Sequence, residues 1–167
     1  MLTLYYSRMS SPIGPLVIGV SDKGLAIIEW DRGDFPKGRL ARTADWQESE
    51  ERTAVARREL REYFAGKRRI FDVTLDLHGT EFQKKCWRAL LKIPYGETRT
   101  YAQIAKAVGN PRGFRAVGMA NHDNPVPIIV PCHRVLASDG TLGGYGGGLD
   151  MKRKLLELEG ALQPTLI

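Results

Sequence analysis

Cysteine is scarce: Cys86 and Cys132 are the only two in 167 residues, too few for a disulfide framework. In a reducing compartment both are free thiols. The three histidines, His78, His122 and His133, do not combine with them at the spacing of a structural zinc site, so no metal is expected. No apolar run approaches the roughly 18 residues of a membrane helix. The N-terminal MLTLYYSRMSSPIG lacks the basic flank, apolar core and small-residue cleavage site of a signal peptide. A cytoplasmic protein with no membrane partner is the expectation.

Acidic residues are unevenly thin. Residues 1–78 carry 13 Lys/Arg and 12 Asp/Glu, whereas residues 79–167 carry 12 and 7. The second half is the better candidate to face a polyanion, although a modest positive excess also serves solubility. Hydrophobic content of 43% with 26% charged residues is that of a globular protein, long enough for one core or two small ones.

LTLYY, PLVIGV and LAIIEW are short β-branched or aromatic runs separated by the turn signals SPIG and SDKG, which predicts a small antiparallel sheet. Residues 31–48 show no apolar periodicity and are predicted to be a surface loop. Ala56, Leu60, Tyr63 and Phe64 fall on one face of a helix over residues 50–65, stopped by Gly66. FDVTLDL is either a strand or an extended linker.

The pattern changes after His78. Thr80 and Gln83 form a capping box, and Phe82, Cys86, Leu90 and Ile93 then recur at helical spacing. Cys86 on that stripe is a small buried hydrophobe. Thr100 and Gln103 repeat the box and open the helix TYAQIAKAV; RGFRAVGMAN forms the next. Two short helices across a Gly-containing turn make a helix-turn-helix pattern, which non-binding proteins also contain. Behind Arg115 stand Ala116, Gly118 and Ala120, suited either to close approach of the backbone to a groove or to tight helix packing. A last helix runs over residues 149–159, with Met151, Leu155 and Leu158 on its apolar face. Glu159 lies in its last turn, where the helix dipole disfavours a carboxylate, so a partner elsewhere is expected.

Between these helices, VPIIV is predicted to be a buried strand ended by Pro131 and followed at once by Cys132-His133-Arg134. A thiol is nucleophilic as thiolate, which nearby cations or a base favour. His133 and Arg134 offer both, directly or through water. Gly143, Gly144, Gly146, Gly147 and Gly148 around Tyr145 lack the Gly-Lys-Ser/Thr of a phosphate loop. They suit a wall of amide donors for a flat ring, or a flexible surface loop.

Pro131-Cys132-His133-Arg134-Val135 resembles the active-site signature of the O6-alkylguanine-DNA alkyltransferases, the methylated-DNA–protein-cysteine methyltransferases. The resemblance continues through IPYGETRTYAQIA, RAVGMA, NPVPIIVPCHRV, GGYGGG and KRKLLELEG, and SPIGPL and LREYFAG resemble the family's first domain. It implies an α+β fold: an N-terminal ribonuclease H-like domain (1–78) with a small antiparallel sheet and a helix, then a mostly helical domain (79–167) with the helix-turn-helix and the active-site cysteine. It implies direct-reversal DNA repair, in which the alkyl group of O6-alkylguanine in double-stranded DNA passes irreversibly to Cys132 after base flipping. O4-alkylthymine stays open as a second substrate. By the same resemblance His133 acts through water, Glu159 orients it, Tyr101 donates to the leaving guanine and Asn124 braces the active-site turn. Arg115 fills the gap left by the flipped base, and Thr100, Tyr101, Arg112, Ala116 and Gly118 meet the DNA. Met119, Tyr145, the carbonyls of Cys132 and Val135, and the Gly146 amide shape the pocket. A monomer with no metal and no cofactor, acting once, is implied. The acid in Asn121-His122-Asp123 departs from the family pattern and puts local DNA contacts in doubt. A non-catalytic binder of alkylated DNA is the alternative, disfavoured by the presence of Cys132. A cysteine hydrolase or thiol redox enzyme would need a separate oxyanion or resolving-thiol arrangement, for which Cys86 on a helix face is a poor partner.

Overall fold

Alternation of β-branched and aromatic residues with turn signals produces three strands at the start of the chain: β1 (Thr3–Met9), β2 (Leu16–Val20) and β3 (Leu25–Trp30). The structure, a computed structural model, describes residues 2–35 and 42–163, which separate into two units, Met1–His78 and Gly79–Ile167. In the first unit the sheet order is β3-β2-β1-β4, where β4 is Asp45–Glu48. The β1–β2 and β2–β3 pairs are antiparallel, and all five residues of β2 are buried, as a central strand covered on both faces requires.

The fourth strand corrects a sequence-based expectation. Asp45–Glu48, predicted to be loop, is β4 and pairs parallel to β1. Three of its four side chains are exposed, so no apolar alternation advertised it; backbone pairing at a sheet edge makes it. Trp46 adds an edge-on contact to Tyr6 at 5.8 Å between ring centroids. Residues 36–41 of the same predicted loop lie outside the described residues.

Helix α1 (Ala54–Phe64) buries Ala56, Leu60 and Tyr63, with Phe64 only half-buried, and Gly66 beyond its end has φ +74°. Buried Glu59 on the same face accepts the amides of Asp72 and Val73 at 2.9 and 3.0 Å. The FDVTLDL segment is extended, with a single bridge between Leu75 and Leu25. There the backbone passes so close to Gly24, whose φ is +155°, that a side chain at 24 would strike the Thr74 carbonyl.

In the second unit, α2 (Glu81–Leu90) and α3 (Tyr101–Ala107) both start with reciprocal capping boxes, Thr80 with Gln83 and Thr100 with Gln103. With α4 (Phe114–His122) they form a mutually packed trio. Trp87 is fully buried and donates its indole N–H to the Ala120 carbonyl at 2.8 Å, tying α2 to α4. Ala120, buried at 2% exposure, thus serves tight helix packing, the second of the two roles open to the small residues behind Arg115.

The last helix, α5 (Leu149–Leu158), also differs from expectation. Its buried face is Lys152, Leu155, Leu156 and Glu159, an i, i+3, i+4, i+7 stripe whose two ends are charged. Leu158, expected inside, is 37% exposed, and Met151 is half-buried. α5 packs against the turn that carries Cys132. Among the described residues no helix is long and apolar enough to cross a membrane.

Candidate active site

The apolar run before Cys132 is not a strand. Pro125, Pro127 and Pro131 remove amide donors from it, and the chain instead coils into a buried turn closed by Val130 N–H to the Val126 carbonyl at 3.0 Å. Ile128 has φ +78°, a left-handed conformation that costs a β-branched residue about 1–3 kcal/mol. Asn124 holds the turn in that shape. Its Oδ1 accepts from Val126 N–H at 3.0 Å, while its amide donates to the Val130 carbonyl at 2.8 Å and to the Cys132 Sγ at 3.1 Å.

Cys132, His133 and Arg134 form one turn of 3-10 helix, leading into β6 (Val135–Leu136), which pairs in parallel with β5 (Arg99–Thr100). The tight turn sends the adjacent side chains in different directions. His133 is fully buried; its Nε2 meets Glu159 Oε2 at 2.7 Å and its Nδ1 has no protein partner. The imidazole thus makes no direct hydrogen bond to the thiol. Glu159, the residue the helix dipole disfavours, is held by Arg134 in a two-point pair at 2.8 and 3.0 Å, and also receives Gly96 N–H at 3.3 Å.

Charge follows from this geometry. Burial alone would lift the Glu159 carboxyl, but hydrogen bonds from His133 and Arg134 outweigh it and hold the group well below the usual carboxylate range. Burial lowers His133 against the pull of Glu159, favouring neutral imidazole. Burial pushes the Cys132 thiol up to about 11, opposed by the Asn124 amide and by the charge of Lys152. Arg134, expected to supply a cation to the thiol, is spent on Glu159 and on the Ile93 carbonyl at 2.6 Å. Lys152 is the cation that acts there.

A cleft of about 730 Å³ opens over Cys132. Tyr101 at the start of α3, Gly118 on α4, and Tyr145 and Gly146 of the glycine-rich loop line it, as do Phe114, Asn121 and His122. Tyr101 donates its hydroxyl to the Gly144 carbonyl at 3.4 Å; burial, and then the neighbouring Cys132, raise its pKa. Gly143 has φ +70°, and a side chain there would press on the Tyr101 ring at 3.0 Å. Asn121 is 8% exposed, and both polar atoms of its amide lack a partner.

Other expected pocket residues lie elsewhere. Val135 is fully buried, and its carbonyl already accepts from Lys152 Nζ at 2.6 Å. The Cys132 carbonyl accepts from Val135 N–H. Both carbonyls retain only a second lone pair for a ligand. Met119, one helical step from Gly118, is 59% exposed and outside the cleft lining, because that step swings its side chain to the outer face of α4. Arg112, Arg115 and Ala116 are exposed, and Thr100 is half-buried with its hydroxyl oxygen accepting Gln103 N–H. His122 and Asp123 are exposed at the end of α4. Cys86 is fully buried on α2, where burial raises its thiol pKa. Among the described residues no group of three or more His, Cys, Asp and Glu side chains could hold a metal ion.

Lys152 was not anticipated, since it sits in the basic run MKRK and reads as solvated. The one signal was its position three and four residues before Leu155 and Leu156, on their face.

Comparison with known proteins is consistent along the whole chain. Residues 81–161 match the family model described as 6-O-methylguanine DNA methyltransferase, DNA binding domain, and residues 4–77 match its ribonuclease-like domain. The methylated-DNA–protein-cysteine methyltransferase of Methanosarcina barkeri is 50% identical over 156 residues, covering 93% of this chain and 97% of its own. The crystal structure of Mycobacterium tuberculosis OGT in complex with DNA superposes with a TM-score of 0.85 at 46% identity, over 94% of this chain and 93% of that one. The O6-methylguanine-DNA methyltransferase of Pyrococcus kodakaraensis aligns at TM-score 0.59 and 27% identity, over 95% of this chain and 99% of that one.

Proposed function

This chain belongs to the methylated-DNA–protein-cysteine methyltransferase family, and from that premise we propose that it repairs double-stranded DNA by moving the alkyl group of O6-alkylguanine onto Cys132. The observation that carries this reading is Cys132 itself: one sulfur facing a cleft with room for a flipped base, with Asn124 on it and the His133–Glu159–Arg134 chain behind it.

The damaged base leaves the stack and enters the cleft, since its alkyl carbon is out of reach inside a duplex. Arg115, on the exposed face of α4, fills the gap it leaves, and Ala116 and Gly118 let the helix lie close to the minor groove. Exposed Arg112 contacts phosphate, as does Thr100 at the head of α3. Neutral His133, with its Nε2 proton on Glu159, has a lone pair on Nδ1 and takes the thiol proton through one water. The thiolate attacks the alkyl carbon, a carbon–sulfur bond forms, the carbon–O6 bond breaks, and its electron pair passes into the guanine. Tyr101 shifts its hydroxyl from Gly144 to the departing base and steadies the charge that develops there. The proton collected at His133 is the one the neutral guanine product needs. Tyr145 walls the pocket, and the Gly146 amide faces O6.

The thioether has no route back to a thiol, so each molecule acts once. Work in the cytoplasm as a monomer, without metal or cofactor, belongs to the same proposal. It is tested by incubating the protein with duplex DNA containing O6-methylguanine and weighing the Cys132 peptide. A gain of one methyl is expected; an unchanged peptide from a protein that stays tightly bound would assign it to non-reacting binders instead.

A further inference from the structure

We infer that Lys152 is a positioning residue for alkyl transfer: its buried ammonium ties the carbonyls of Leu142 and Gly144, in the glycine-rich loop, to the carbonyl of Val135, behind the active-site turn, and so sets where Tyr101 stands. The inference deepens the function proposed above and rests on it.

Three contacts define the tie. Lys152 Nζ donates to the Val135 carbonyl at 2.6 Å, to the Gly144 carbonyl at 3.1 Å, and to the Leu142 carbonyl. An ammonium has three protons, and here each has an acceptor. The residue is fully buried, which a lysine tolerates only when it is paired so completely. The three carbonyls come from two segments, and residues 137–148 form no helix or strand. The Ala137 N–H to Thr141 carbonyl bond closes the loop between them, and the ammonium joins the Leu142 and Gly144 carbonyls beyond it to Val135.

Gly144 carries the effect onward. Its carbonyl also accepts the Tyr101 hydroxyl at 3.4 Å, so cation and phenol meet on one oxygen. The ammonium lies 5.7 Å from the centroid of the Tyr101 ring, and Gly143 leaves no room for a side chain against that ring. Moving the loop moves the acceptor that aims the hydroxyl. An uncharged side chain at 152 leaves the loop to settle elsewhere, and the three carbonyls to find water.

The groups that face the ammonium are the Cys132 thiol and the Tyr101 phenol, with the His133 imidazole within range of its charge. Burial lowers Lys152 to about 8, against the attraction of Cys132. Burial likewise holds Cys132 near 11 and His133 below its ordinary range, so neither titrates with the lysine.

The test is single-turnover transfer from a duplex containing O6-methylguanine at saturating protein, for the wild type, Lys152→Met, Tyr101→Phe and the double variant. Lys152→Met is expected to slow transfer at least tenfold while DNA affinity stays within twofold. The double variant is expected to lose at least threefold less than the product of the two single losses, the remainder being the charge of Lys152 on the Cys132 thiol. Wild-type speed in Lys152→Met, or full additivity of the two losses, overturns the inference. A wild type that transfers nothing overturns the proposed function instead. If Lys152→Met does not fold, the wild type decides by NMR of labelled lysine and tyrosine. Tyr101 ring signals are expected to move with the Lys152 Nζ titration near pH 8; Tyr101 signals unmoved through that titration overturn the inference.

Discussion

The side-chain amide of Asn124 donates to the sulfur of Cys132 across 3.1 Å, and the same nitrogen donates to the Val130 carbonyl at 2.8 Å. One residue thus shapes the turn and favours the thiolate it presents. Replacing Asn124 with Ala leaves the Val126 amide unpaired, at a cost of about 1–3 kcal/mol, and takes one of two donors from the Val130 carbonyl, which keeps the Cys132 N–H. The rate of alkyl transfer is expected to fall at least tenfold. Asn124→Asp is expected to be worse in rate, because a carboxylate beside the sulfur repels a second negative charge. Single-turnover kinetics and thermal melts of both variants check this, and an Asp variant faster than the Ala variant contradicts it.

Glu159 sits between His133 and Arg134, all three buried. Glu159→Ala strands a buried guanidinium, which costs about 3–5 kcal/mol and lowers the melting temperature by roughly 6–20 °C. Transfer should fall as well, because the imidazole loses the group that orients it. Glu159→Gln keeps the shape but not the charge, and is expected to lie between wild type and Ala in both measurements.

Stability should decline in acid. The Glu159 carboxyl is depressed in the folded state, so its contribution is complete above the ordinary carboxylate value of about 4.3 and is lost as pH falls below it toward the folded value. His133 is also depressed, so the unfolded chain takes up its proton first as pH drops below about 6.5. Both effects have the same sign. Melting temperatures measured from pH 7 down to pH 4 are expected to fall throughout; a flat profile contradicts the assignment.

Burial holds the Cys132 thiol near 11 in the DNA-free protein. At pH 7 only about one molecule in ten thousand carries the thiolate, and the fraction rises about tenfold per pH unit. Iodoacetamide modification of Cys132, read by peptide mass, is expected to climb steadily from pH 7 to pH 10. A plateau near pH 8 would show a thiol activated before any DNA arrives.

What the sequence disclosed was whatever is local. Both capping boxes form as read, because each needs only residues three apart. Cys132, His133 and Arg134 announced a reactive turn because they are contiguous. The features that escaped depend on distant partners or on competing rules. β4 exposes most of its side chains and exists through pairing with β1. The run before Cys132 has a strand's composition, but three prolines deny it a ladder. Met119, which the resemblance puts at the pocket, is 59% exposed and outside the cleft lining, one helical step from Gly118. Lys152 and Glu159 fill the two ends of a buried helix stripe, and a charge on such a stripe shows its purpose only once the carbonyls and cations it meets are in place.

The central claim, that Cys132 accepts one alkyl group and is then spent, is tested most directly by stoichiometry. Limiting protein is incubated with an excess of duplex DNA containing O6-methylguanine, and repaired guanine is counted over time. Repair is expected to stop at one lesion per protein molecule, with none repaired by Cys132→Ser. Repair that continues past one lesion per molecule would contradict the account.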